Sequence, residues 1–161
     1  MRRRRLLLLG LALVGIGAVG LALLRAGPLA PLRWSGNPVA DGELIFRTGI
    51  GSNGRPVAYG GGSMMLMTCA ACHGDRGQGG RVRVMMRTVD VPSITWSELT
   101  EAHHDEADTE AAHSPYTEAT LRRAITAGVD PADALLDPLM PRWRLTDEEW
   151  EAILAFLQTL P

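Results

Sequence analysis

The chain has 161 residues, room for one ordinary domain rather than two. Hydrophobic residues make up 46% and charged residues 21%, which excludes a disordered chain, and 5% aromatics exclude a large aromatic core. Arg2, Arg3, Arg4, Arg5 and Arg25 stand in the first 25 residues without an acid, so residues 26–161 carry 11 Arg against 18 Asp and Glu; an acidic body of this kind does not seek phosphates, and nucleic acid is excluded as a partner.

After Arg2–Arg5 come nineteen uncharged residues, Leu6 to Leu24. As a helix they would span about 28 Å, close to the hydrocarbon core of a bilayer. The Arg run predicts a cytoplasmic N-terminus and an exported body. Two readings compete for residues 1–24: a membrane anchor, single-pass with the body on the periplasmic side, or a cleaved signal peptide that leaves a soluble periplasmic protein. The best cleavage site is Gly20-Leu21-Ala22, which would leave an apolar new start at Leu23-Leu24. Residues 25–40 hold Pro28, Pro31, Pro38, Gly27 and Gly36 and read as an extended tether. The folded domain is expected over residues 41–161.

Within that domain, Asp41 to Thr48 reads as a short helix ended by Gly49, and residues 49–62 as a glycine-rich loop. Ser63 to Cys72 is apolar, rich in Met and partly helical; Gly74 to Gly80 is a glycine loop. Arg81 to Val91 carries mixed signals, and Pro92 breaks it. Residues 98–113 read as a solvated acidic segment. Ser114-Pro115 predicts a helix start, with Leu121, Ala124 and Ile125 apolar and Gly128 ending the run. Thr146-Asp147-Glu148-Glu149 is a capping box, followed by the stripe Trp150, Ile153, Leu154, Leu157 and Leu160. No long alternating segment and no repeat is read. The expected fold class is all-α: three to five short helices and long loops, with a large apolar ligand completing the core.

Cys69-Ala70-Ala71-Cys72-His73 is C-x-x-C-H, the attachment sequence of c-type haem. Residues three apart share a helix face, so both thiols can reach the two vinyl groups of one porphyrin, and the next residue brings an imidazole to the iron. Three other readings compete. A thioredoxin-like thiol pair wants a βαβ context that the sequence lacks. A zinc site would have to recruit from His103, His104 and His113. A disulfide at this spacing closes almost no loop. The second iron ligand is expected far along the chain. Met140, between Pro138 and Pro141 and just before the last helix, leads; Met64, Met65, Met67, Met85 and Met86 are rivals better suited to lining the pocket or filling gaps. Arg81, Arg83 and Arg87 are candidates to pair with a haem propionate. In the acidic segment, His103, His104 and His113 among carboxylates could bind Cu or Zn or act as a pH-sensitive docking surface, against the plainer reading of solvated charge.

The combination Cys69-Ala70-Ala71-Cys72-His73-Gly74, Gly77-x-Gly79-Gly80, Met140-Pro141-Arg142-Trp143 and Leu145-Thr146-Asp147-Glu148-Glu149-Trp150 resembles the class I c-type cytochromes over residues 41–161. The resemblance implies one covalent haem c, with thioethers at Cys69 and Cys72 and with His73 and Met140 as proximal and distal iron ligands. Gly42 and Phe46 are similar to the pair with which the family's first helix crosses its last, near Trp150. Some twenty residues, rich in Gly and Met, separate that helix from the haem motif, and residues 98–113 read as an insertion.

The expected function is single-electron transfer between extracytoplasmic redox partners. With both axial positions filled there is no open iron site, so the chain is not expected to be an enzyme. The alternatives are a subunit docked permanently on a membrane oxidase or reductase, and a haem peroxidase if the distal ligand can leave. The acidic body implies partners with a basic docking surface.

Overall fold

The first helix begins before the sequence places it. In the computed structural model, which describes residues 34–62, 68–84, 86–101 and 114–161, α1 runs Pro38–Thr48. The Asn37 side chain caps it, accepting from the N–H groups of Val39 (3.1 Å) and Ala40 (3.2 Å), with Pro38 in the first turn. Asp41 is buried and accepts hydrogen bonds from the Ser35 N–H (2.6 Å), the Ser35 hydroxyl (2.8 Å) and the Gly36 N–H (2.7 Å). Trp34 packs against the core, and its indole N–H donates to Glu148 at 3.1 Å. Residues 34–40, read as tether, therefore belong to the folded unit, which spans Trp34–Pro161. The expected span Leu6–Leu24 lies outside the described residues. Among the described residues, no helix is long and apolar enough to cross a membrane.

The short strand β1 (Tyr59–Gly60) follows a glycine-rich loop, and α2 (Cys69–His73) carries the cysteine motif. The next element adds strands to the expected short helices and loops. Residues 81–91 form neither helix nor loop: β2 (Gly80–Val84) and β3 (Arg87–Val91) make an antiparallel hairpin, with Val82 opposite Val89 and Arg81 opposite Asp90. The side chains alternate as a strand requires. Val82, Val84, Val89 and Val91 share one face and are at least half-buried; Arg81, Arg83, Thr88 and Asp90 share the other and are exposed.

Two further expectations shift. Glu98 to Thr100 is not solvated coil: α3 (Trp96–Thr100) turns Leu99 into the core. The helix expected from Ser114-Pro115 starts three residues later, as α4 (Glu118–Ala127), because Thr117 and Thr120 bond each other's backbone N–H in a capping box. Gly128 ends α4 as expected.

The last two elements are β4 (Arg142–Trp143), antiparallel to β1, and α5 (Asp147–Leu157). The Thr146–Glu149 capping box forms, and the Glu149 carboxylate also accepts from the Ser52 N–H at 2.9 Å. Trp150, Ile153, Leu154 and Leu157 are all buried, each side chain contributing about 1.5–3 kcal/mol by leaving water. α1 crosses α5 where Gly42 meets the Ala152 carbonyl and the Phe156 Cβ, and the Phe46 and Phe156 rings lie 5.1 Å apart, tilted by 54°. The small-and-aromatic pair read from the sequence thus makes the crossing. Among the described residues the fold is five short helices, one hairpin and one two-residue strand pair around a pocket.

Candidate cofactor site

Thr68 starts the site. Its hydroxyl caps α2 by accepting from the Ala71 N–H at 3.1 Å, which fixes the single turn Cys69–His73. Both thiols are free, and Cys69, Cys72 and His73 all line one pocket. Burial pushes the Cys69 thiol up to about 12, with the neighbouring Cys72 adding to the rise. Burial also raises Cys72. A catalytic or redox cysteine needs a depressed pKa, so this environment speaks against a thioredoxin-like pair.

The chain returns to His73 from the far side. After α2, Gly74 and Gly77 turn the backbone, and the Gly79 N–H donates to the His73 carbonyl at 2.9 Å. Gly79 has φ 65°, and a Cβ there would lie 2.6 Å from the Pro92 carbonyl oxygen. That close approach brings the Pro92 carbonyl to 3.0 Å from His73 Nδ1. A carbonyl can only accept, so Nδ1 carries the proton and Nε2 keeps its lone pair. Burial lowers the His73 pKa, and the Pro92 hydrogen bond pulls the other way. The neutral ring with a free Nε2 is the form that binds iron.

Met140 lies on the wall of the same pocket, far along the chain from the cysteines. Asp137-Pro138-Leu139-Met140 closes a β-turn: the Met140 N–H donates to the Asp137 carbonyl at 3.0 Å, and the Asp137 carboxylate accepts from Leu139 N–H at 2.8 Å. Asp first and Pro second are the residues such a turn favours. The Gly62 N–H reaches the Pro138 carbonyl at 3.1 Å, tying the turn to the loop after β1.

The rest of the wall is apolar. Phe46 from α1, Val84 and Val89 from the hairpin, Leu99 from α3, Leu121 from α4 and Ile153 from α5 all face it. Trp143 closes one side, its ring 5.2 Å from Tyr59. Two adjacent thiols, a neutral imidazole, a thioether and an apolar lining suit a flat apolar macrocycle with a metal at its centre.

The sequence family agrees. The model of the family "Cytochrome c" matches residues 57–161. The chain belongs to the cytochrome c family. As a member it carries covalently bound haem c and is an electron-transfer protein. The residues on the pocket wall fit that group: thiols for its vinyls, nitrogen and sulfur donors for its iron, and aliphatic walls for its faces. No curated protein and no solved structure matches this cytochrome significantly.

The sequence-predicted residues divide cleanly. Cys69, Cys72, His73 and Met140 are brought to one pocket. Met86 is not: it is 92% exposed at the hairpin tip. Met64, Met65, Met67, Met85, His103, His104 and His113 lie outside the described residues. Among the described residues no group of three or more His, Cys, Asp or Glu is placed to hold a metal ion. Arg81 pairs with Asp90 at 3.2 Å on the outward hairpin face, Arg83 is exposed there, and Arg87 is exposed at the tip; none of the three lines the pocket. Sequence reasoning missed the Pro92 carbonyl, the valine wall of the hairpin and the side chain of Arg142. The valine alternation was the available signal for the second. The other two work through backbone carbonyls, Pro92 by accepting from His73 and Arg142 by donating to its loop, and leave no pattern.

Proposed function

We propose that this cytochrome is a one-electron carrier in which Cys69 and Cys72 hold the haem through thioethers and His73 and Met140 are the two axial ligands. The observation that carries the reading is the convergence of these four side chains, two of them thiols and one a neutral imidazole, on one apolar pocket. When bound, haem iron supplies reversible one-electron chemistry between its ferrous and ferric states. The chain's residues do the rest. The Pro92 carbonyl fixes the His73 tautomer and raises its donor strength. Met140 offers a weak thioether donor, which favours the ferrous state and raises the potential. The apolar wall keeps water away and favours the state of lower charge.

With both axial positions taken by side chains, small molecules are kept from the iron, and the chain works as a carrier rather than a catalyst. Its partners exchange electrons with it outside the cytoplasm, and Leu6–Leu24 holds it to the membrane. The acidic body, 11 Arg against 18 acids over residues 26–161, selects partners with a basic face.

The test is at Met140. Met140→His keeps a six-coordinate iron and lowers the potential. Met140→Ala opens the site, so the ferrous protein binds carbon monoxide that the native protein excludes. Native potential and native exclusion of carbon monoxide in both variants would remove Met140 from the iron.

A further inference from the structure

We propose that Arg142 is a positioning residue that holds the Met140 loop against the pocket, an inference that rests on Met140 being the distal ligand. The Arg142 guanidinium donates to the Leu136 carbonyl at 2.9 Å, to the Met140 carbonyl, and at 3.4 Å to the Asp137 carbonyl. One planar fork thus spans both ends of the segment 136–140, whose Leu136, Asp137, Leu139 and Met140 all line the pocket. Among the described residues Arg142 has no carboxylate partner, so its charge is directed at backbone carbonyls. Charge-assisted bonds of this kind are about twice as strong as neutral ones.

The fold makes a place for this side chain. Gly128, at φ 70° beyond the C-terminus of α4, lies against the guanidinium, and a Cβ there would occupy the position of Arg142 Nε and Cζ. The C-terminal end of a helix also favours a cation. The Leu136 N–H donates to the Gly128 carbonyl at 2.9 Å, so helix end, clamp and loop form one unit. Arg142 itself is fixed by its place in β4, opposite Gly60. The clamp therefore links the rigid β1–β4 pair and α4 to the one stretch of chain that must hold a weak ligand in place.

A thioether–iron bond is easily lost, so the loop's rigidity sets how often it is lost. Removing two or more charge-assisted bonds should raise the population with Met140 detached by about tenfold or more. The experiment compares Arg142→Ala, the milder Arg142→Lys and Gly128→Ala in the full-length haem-loaded protein. The readouts are the reduction potential, the ferric Met–iron charge-transfer band and carbon monoxide binding to the ferrous form. Gly54→Ala is the control: Gly54 has φ 72° but nothing within 4 Å of a Cβ, so it carries the backbone strain without displacing Arg142. Arg142→Ala and Gly128→Ala should lower the potential, weaken the band and admit carbon monoxide, with Arg142→Lys intermediate and Gly54→Ala native. Native potential and native exclusion of carbon monoxide in Arg142→Lys and Gly128→Ala would overturn the positioning role, whatever their thermal stability. Met140→Ala separates the two claims. If it opens the iron and the Arg142 variants do not, only the clamp falls; if it changes nothing, the ligand assignment falls and takes the clamp with it.

Discussion

Gly79 bonds the His73 backbone and controls the His73 ring through Pro92. Its missing Cβ lets the Val91–Pro92 backbone close on the haem motif, and the Pro92 carbonyl then accepts a hydrogen bond from His73 Nδ1–H at 3.0 Å. Gly79→Ala would strain a φ of 65° and push that carbonyl away. A His ligand that loses its Nδ1 acceptor is a weaker donor and stabilises ferric iron less. Gly79→Ala should therefore raise the potential, opposite in sign to changes at Met140, and cost about 1–3 kcal/mol of stability. Potentiometry beside urea unfolding checks both; a potential that falls would show that the Pro92 bond does not tune the ligand. At this scale the sequence was readable where chemistry is local. Cys69, Cys72 and His73 are adjacent in the chain, and their spacing states their task. The prolines around Met140 singled it out in the sequence, and it lies on the wall of the same pocket. Arg142 stood in the same motif but its role was not legible, because the carbonyls that it holds are assembled only by the turn at Asp137–Met140 and the end of α4.

Elements with their own end signals were legible, and those defined by partners were not. α5 has a reciprocal box at Thr146 and Glu149 and an unbroken apolar stripe, and it folds as its sequence indicates. Thr146→Ala should destabilise the fold by about 1 kcal/mol while Thr146→Ser stays near native, measured by thermal unfolding. An equal loss in both would point to packing rather than the cap. α4 was misplaced at its start because Ser114-Pro115 is a plausible cap, yet Thr117 and Thr120 satisfy each other's backbone. The hairpin was missed for a different reason. Its strands are five residues each, and the sequence between them lacks the Asn-Gly or Asp-Gly signature that marks a two-residue connection. Only the face shared by Val82, Val84, Val89 and Val91 declares it, and that face acquires meaning from the pocket it lines.

Among the described residues, five short helices and a hairpin surround a space that their own side chains leave open, and the cofactor supplies the remaining core. The body's excess of acids over Arg faces whatever it meets, so electron exchange with a basic partner should slow as salt rises. Stopped-flow rates over a range of ionic strength check this, and a rate indifferent to salt would assign docking to apolar contacts. The central claim is that one haem is bonded to Cys69 and Cys72 of this pocket. Mass spectrometry of the denatured protein, followed by mapping of its peptides, measures it directly. The account predicts a polypeptide heavier by one haem, with the added mass on the peptide that contains Cys69-Ala70-Ala71-Cys72-His73. A bare polypeptide mass, with the colour lost to acid-acetone, would contradict it.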